Sequence, residues 1–227
     1  SDIWEMPVFE PLTDDVHVLL VNPIGGRASK YGDPATRAVY WTGEWKDGLF
    51  HPFDNAPKML DIIPGHLAPT VERASDGQLR AIGIVDERRS PQSQEDAGWA
   101  HTFSFPRTWR LMPDGRTLGQ APAPELQLLR RESVVAGGAG QAVAESLELV
   151  RGERAYELEL ELADPSAGEE LVLDILASPD REEFTRLQFR TGSNEIVLDK
   201  SRSSLAGEDE GPLVLTEVED LADVGVI

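Results

Sequence analysis

The run Leu79-Arg80-Ala81-Ile82-Gly83-Ile84-Val85 is short, rich in apolar and β-branched side chains, and bounded by turn formers, Asp76-Gly77 before it and Asp86 after it. A run of that length and composition reads as a strand. The same grammar recurs at Val16-His17-Val18-Leu19-Leu20-Val21, Ala38-Val39-Tyr40-Trp41-Thr42 and Thr102-Phe103-Ser104-Phe105. The 20 glycines and 16 prolines cluster between such runs, and Asp47-Gly48, Asp76-Gly77 and Asp114-Gly115 supply the positive φ that tight hairpins demand. Antiparallel meanders with almost no helix beyond single turns are therefore expected.

Composition changes near residue 130. Residues 1–130 carry 13 basic and 18 acidic side chains and all five tryptophans, whereas the rest carries 8 basic and 23 acidic side chains and no tryptophan. Two domains follow from that asymmetry. In the second half, Tyr156-Glu157-Leu158-Glu159-Leu160-Glu161-Leu162 alternates strictly, which places the apolar side chains on one face of a half-buried strand. Leu171–Leu176, Leu187–Phe189 and Glu195–Leu198 continue the pattern expected of a β-sandwich.

The formal charge of −20 repels phosphate backbones and anionic lipid headgroups, so neither nucleic acid nor a membrane surface is an expected partner. No run approaches the roughly 20 apolar residues of a membrane span, and Ser1-Asp2-Ile3-Trp4-Glu5-Met6-Pro7 lacks the regions of a signal peptide. Without cysteine there is no disulfide, thiolate metal site or cysteine nucleophile, and four scattered histidines do not compose a zinc site. No metal or cofactor is expected.

One carboxylate stands in a suggestive context. Glu5, between Trp4 and Met6, has apolar sequence neighbours of the kind that raise a carboxyl toward the range of a general acid. The structural alternative is a turn glutamate that happens to adjoin an aromatic.

The ordered segments of residues 3–130 add a second kind of information. Ile3-Trp4-Glu5-Met6-Pro7-Val8-Phe9, Tyr40-Trp41-Thr42-Gly43-Glu44-Trp45-Lys46-Asp47-Gly48-Leu49-Phe50, Gly98-Trp99 with Phe105-Pro106-Arg107, and Gln120-Ala121-Pro122-Ala123-Pro124-Glu125-Leu126 resemble, in order and spacing, glycoside hydrolase family 32, the invertases, levanases and inulinases. Leu198-Asp199-Lys200-Ser201-Arg202-Ser203 resembles a segment of that family's C-terminal β-sandwich. The resemblance implies an all-β protein: residues 1–125 as the last blades of a five-bladed β-propeller, and residues 131–227 as an incomplete C-terminal β-sandwich. It also implies that Glu5 is the acid/base of a retaining β-fructofuranosidase acting on fructosyl linkages in fructans or sucrose, with no cofactor.

Departures from the family pattern fall around the expected sugar site. Met6 stands where the family has cysteine, Gly65-His66-Leu67-Ala68 where it writes Asp-Phe-Tyr-Ala, and Ile82-Gly83-Ile84 where it often writes Ile-Gly-Trp. The sugar-facing wall is thus expected to differ. Trp4, His66 and Asp86 are the candidate substrate contacts. A solvated loop histidine and a solvated charged turn are the plainer readings of the last two. The family's nucleophile and transition-state-stabiliser segments, Trp-x-Asn-Asp-Pro-Asn and Arg-Asp-Pro, do not occur in the sequence. The isolated chain is accordingly expected to be inactive and to need the rest of the propeller as its partner. A non-catalytic carbohydrate-binding or interaction module, favoured by the tryptophans, and a fructosyltransferase of the same family are the alternatives. A polymeric substrate would imply a secreted or cell-surface protein.

Overall fold

The computed structural model describes residues 3–24, 38–61, 66–85, 89–133, 150–153, 155–159, 170–190, 193, 195–205 and 213–215. The chain is all-β and divides into two compact units, Ser1–Arg130 and Arg131–Ile227.

In the first unit, β1 (Ile3–Pro11), β2 (Val16–Ile24), β3 (Val39–Lys46) and β4 (Leu49–Pro52) form an antiparallel meander, and the short β5 (Lys58–Met59) also pairs with β3. A second sheet takes β6 (His66–Arg73), β7 (Leu79–Val85), β9 (Arg107–Leu111) and β10 (Leu118–Pro122) in that spatial order, with β8 (Thr102–Phe103) beside β7. These are blade-like sheets, and the turn chemistry explains their hairpins. Asp47 and Gly48 both adopt positive φ, 55° and 77°, as a two-residue turn of the type matching strand twist requires. Asp114 closes the β9–β10 turn by accepting the N–H groups of Arg116 and Thr117, each at 2.9 Å. Burial nudges its carboxyl up, but those bonds and the Thr117 hydroxyl bring it down to about 2.

Two expectations are corrected in this unit. Between β7 and β8 runs α1 (Pro91–Ala97), longer than a single turn. Ser90 caps it by accepting the Ser93 N–H at 3.1 Å, Pro91 opens it, and Gly98 ends it at a φ of 76°. Strand β8 is also shorter than the run Thr102–Phe105, because Ser104 turns inward and donates its N–H to the Gly83 carbonyl at 2.8 Å.

The two sheets pack face to face. Val18, Leu20, Tyr40 and Leu60 meet Leu79, Ala81, Trp109 and Leu118 in one buried cluster. Each fully buried aliphatic side chain there contributes about 1.5–3 kcal/mol relative to exposure. The polar tip of Tyr40 is satisfied within the core, its hydroxyl accepting the Leu118 N–H at 3.2 Å.

Among its described residues, the second unit holds an antiparallel sheet of β11 (Glu170–Ile175), β12 (Thr185–Arg190), β13 (Glu195–Asp199) and β14 (Leu213–Leu215), in that order. Ile196, Val197 and Leu198 are buried in succession, so both faces of β13 are covered, as in a layered β domain. Asp174 on β11 pairs with Arg186 at 2.6 Å, and this bond chiefly holds its carboxyl below the usual range. The alternating segment is a further correction. Residues 156–159 form no strand, and 160–162 lie outside the described residues. Alternation specifies which face would be buried but supplies no neighbouring strand for the backbone groups. The Tyr156 hydroxyl instead accepts the Leu176 N–H at 3.4 Å.

Candidate active site

Strand β1 is interrupted by a bulge. Its register with β2 shifts between Glu5 and Val8, and Met6, just before Pro7, sits at a φ of 46°. A non-glycine residue at positive φ costs about 1–3 kcal/mol and persists only where its surroundings hold it. Strand β6 repeats the device. Its register with β7 shifts between Leu67 and Thr70, and Ala68, just before Pro69, sits at a φ of 47°. The two bulges face one another across a groove of about 280 Å³ lined by Met6–Glu10 and Pro69–Val71.

Glu5 is exposed on β1. It lies opposite Asn22 of β2, on the sheet face that continues into the core through Leu20 and Val18. Trp4 and Met6 do not enclose the carboxyl; they are 51% and 54% exposed. Consecutive residues of a strand point to opposite faces, so flanking apolar residues in sequence are not neighbours in space. Trp4 instead lies 5.7 Å, centroid to centroid, from Trp41 on the other face. That face continues as an aromatic cluster in which Phe9 contacts His17, Trp45 and Phe50 at 5.1–5.6 Å.

His66 is neither in a loop nor solvated. It opens β6 and is 6% exposed. Its ring packs against Gly83, where a side chain would collide with Nε2 and come within 2.9 Å of the Leu67 carbonyl. Nδ1 lies 3.3 Å from Asp61, and Asp61 in turn binds Arg107 at 2.6 Å. Burial pushes the Asp61 carboxyl up, but His66 and Arg107 together outweigh burial and hold it below its ordinary value. Gln120 completes the cluster, accepting the Trp109 indole N–H at 3.2 Å and donating to the Leu60 carbonyl at 2.7 Å. This network joins the end of the first sheet to β9 and β10. Asp86 lies outside the described residues.

Sequence reasoning does not single out Asn22, Asp61, Arg107 and Gln120, which the structure brings together with Glu5 and His66 around the candidate site. A signal existed for Asn22. The apolar run ends at Val21, yet Asn22 takes the next inward position of the Val18–Leu20 row, where a core strand ordinarily carries an apolar side chain. Asn22 donates to the carbonyls of Glu5 and Met6 at 3.3 and 3.5 Å and accepts the Ala68 N–H at 2.9 Å.

Residues 1–122 match the glycosyl hydrolases family 32 N-terminal domain, and residues 125–221 match the glycosyl hydrolases family 32 C-terminal domain. The chain belongs to glycosyl hydrolase family 32. It is 30% identical over 133 residues to the beta-fructofuranosidase, insoluble isoenzyme 6, of Oryza sativa subsp. japonica, a match covering 56% of this chain and 22% of that protein. Its fold is similar to sucrose-6-phosphate hydrolase from Lactobacillus gasseri, with a TM-score of 0.64 at 18% identity, covering 93% of this chain and 42% of the other. Fructan 1-exohydrolase IIa from Cichorium intybus gives a TM-score of 0.63 at 19% identity, covering 93% and 49%. That Cichorium enzyme has also been solved in complex with 1-kestose. The chain thus spans less than half the length of these relatives.

Proposed function

We propose that this chain is the part of a retaining β-fructofuranosidase that supplies the acid/base, with Glu5 in that role. The observation that carries the reading is Glu5 itself: an exposed carboxylate on a bulged strand, next in sequence to Met6, which lines an inter-sheet groove, within a chain of glycosyl hydrolase family 32. Retention needs two carboxyl groups about 5–5.5 Å apart across the scissile bond. In this reading Glu5 protonates the leaving-group oxygen as a nucleophilic carboxylate attacks the fructosyl carbon, then deprotonates the water that releases the sugar. The nucleophile comes from outside these 227 residues, whose sequence lacks both of the family's other acidic segments.

Residues 1–125 would then act as the last propeller blades and 131–227 as the sandwich that follows them. The substrate is a sucrose- or fructan-type carbohydrate, of the class held by the Cichorium enzyme. Trp4 and Asp86 are assigned to the rim of the sugar site. His66, buried against Gly83, is assigned to the wall beneath it. The aromatic cluster around Phe9 favours a second reading, a sugar-stacking surface without chemistry.

One experiment separates the two. In the full-length protein, Glu5→Gln is expected to lower turnover of inulin, levan or sucrose by about 10² to 10⁴ with substrate binding largely kept. Azide, which needs no general base, is expected to restore part of the turnover of a substrate with a good leaving group. Near-normal turnover by Glu5→Gln would leave only the binding surface.

A further inference from the structure

We infer that Asn22 is a positioning residue for Glu5, a role that rests on the acid/base reading above. An asparagine that is 6% exposed, in line with the fully buried Val18 and Leu20, is costly unless its amide is bonded. Here the partners are not other side chains but three backbone groups of the two bulges. Asn22 Nδ2 reaches the carbonyls of Glu5 and Met6, and its Oδ1 takes the N–H of Ala68.

A bulge removes backbone groups from the strand ladder, and those groups need new partners. One amide supplies them on both sides, tying the backbone of Glu5 to the facing bulge in β6. The task requires a donor and an acceptor at once. Aspartate keeps only the acceptor and adds a negative charge beside two carbonyls. Leucine, of similar size, keeps neither. Because Glu5 is exposed, the set of its main chain governs where the carboxyl can reach. A displacement of about 1 Å in a catalytic group costs on the order of 100-fold.

The test uses the dependence of acid catalysis on the leaving group. An alkoxide leaves poorly and needs the proton, whereas p-nitrophenolate leaves with little help. In the full-length protein, Asn22→Asp and Asn22→Leu are expected to lower kcat/KM on sucrose or inulin by about 10- to 100-fold. On p-nitrophenyl β-fructofuranoside the expected loss is about threefold or less. Either variant alone suffices if the other fails to fold. Glu5→Gln is measured in parallel and is expected to discriminate between the substrates in the same direction and more strongly. Equal losses on both substrates, or no loss on either, would overturn the role of Asn22 while Glu5→Gln still discriminates. A Glu5→Gln variant that does not discriminate would remove the acid/base reading, and the positioning role with it.

Discussion

The bulges of β1 and β6 are near copies in backbone and opposites in chemistry. Each puts a positive-φ residue before a proline, Met6-Pro7 and Ala68-Pro69, and each shifts its strand's register over the same short span. At matching places, two residues before the proline, one carries Glu5 and the other Leu67. The shared geometry is therefore a property of the sheet architecture, and the two copies differ in the side chain they display. A strained backbone alone does not mark a catalytic position; under the proposed function the difference lies in the carboxylate carried by one copy.

The largest expected effect breaks this pair apart. Glu5→Gln should cost about 10² to 10⁴ in turnover, whereas Leu67→Gln, which installs the same side chain at the matching place, should leave turnover within a few-fold, as measured by steady-state kinetics on fructan. Both sheets feed one core, so Leu20→Ala in the first and Leu79→Ala in the second should each destabilise by about 2–5 kcal/mol. Urea unfolding followed by tryptophan fluorescence checks this. Separate transitions for the two sheets would contradict a shared core.

Asp61 sharpens the comparison at the seam between the sheets. Asp61→Asn should lose about 1.5–3 kcal/mol at pH 7, the worth of bonds to a charged partner. Its folded pKa is depressed, so this stabilisation is complete above the ordinary carboxylate range and disappears as pH falls below about 3.8 and through the lower folded value. Stability curves of wild type and variant should converge in acid. A smaller effect comes from strain. Met6→Gly and Ala68→Gly should each gain about 1 kcal/mol or less, the relief of positive φ minus the added freedom of the unfolded chain. Matching gains in melting temperature would show that both bulges are held by the same forces; a loss of kcat confined to Met6→Gly would tie that strain to Glu5. The smallest effect belongs to the turn of Asp114, where Asp114→Asn should lower stability only above the folded value of about 2, with the difference from wild type fading as pH falls through it.

How much of this was legible depended on whether the governing interaction is local. The hairpins at Asp47-Gly48, Asp76-Gly77 and Asp114-Gly115 are settled by dihedral preference within a few residues, and they appear where the dipeptides stand. The alternation at 156–159 failed as a strand signal because pairing is a property of a second segment. His66 was misplaced for a similar reason, since its burial depends on Asp61, Gly83 and Arg107, three positions spread over 46 residues of chain. Glu5 is singled out in the sequence by the ordered motifs around it, and its proposed role rests on them. Its backbone geometry is not legible there, because the residue that ties it, Asn22, lies 17 positions away on the next strand.

The contact between His66 and Gly83 constrains how this protein can change over generations. Position 83 accepts no β-carbon while the imidazole occupies that space, and the Leu67 carbonyl at 2.9 Å keeps it tight even if the ring is removed. Substitutions at 83 should therefore be purged on nearly every genetic background. Position 66 can drift only toward side chains that leave Asp61 and Arg107 paired. Across related sequences, the first site should read as fixed glycine and the second as variable in step with 61 and 107, a signature of inheritance that stems from packing rather than from contact with sugar.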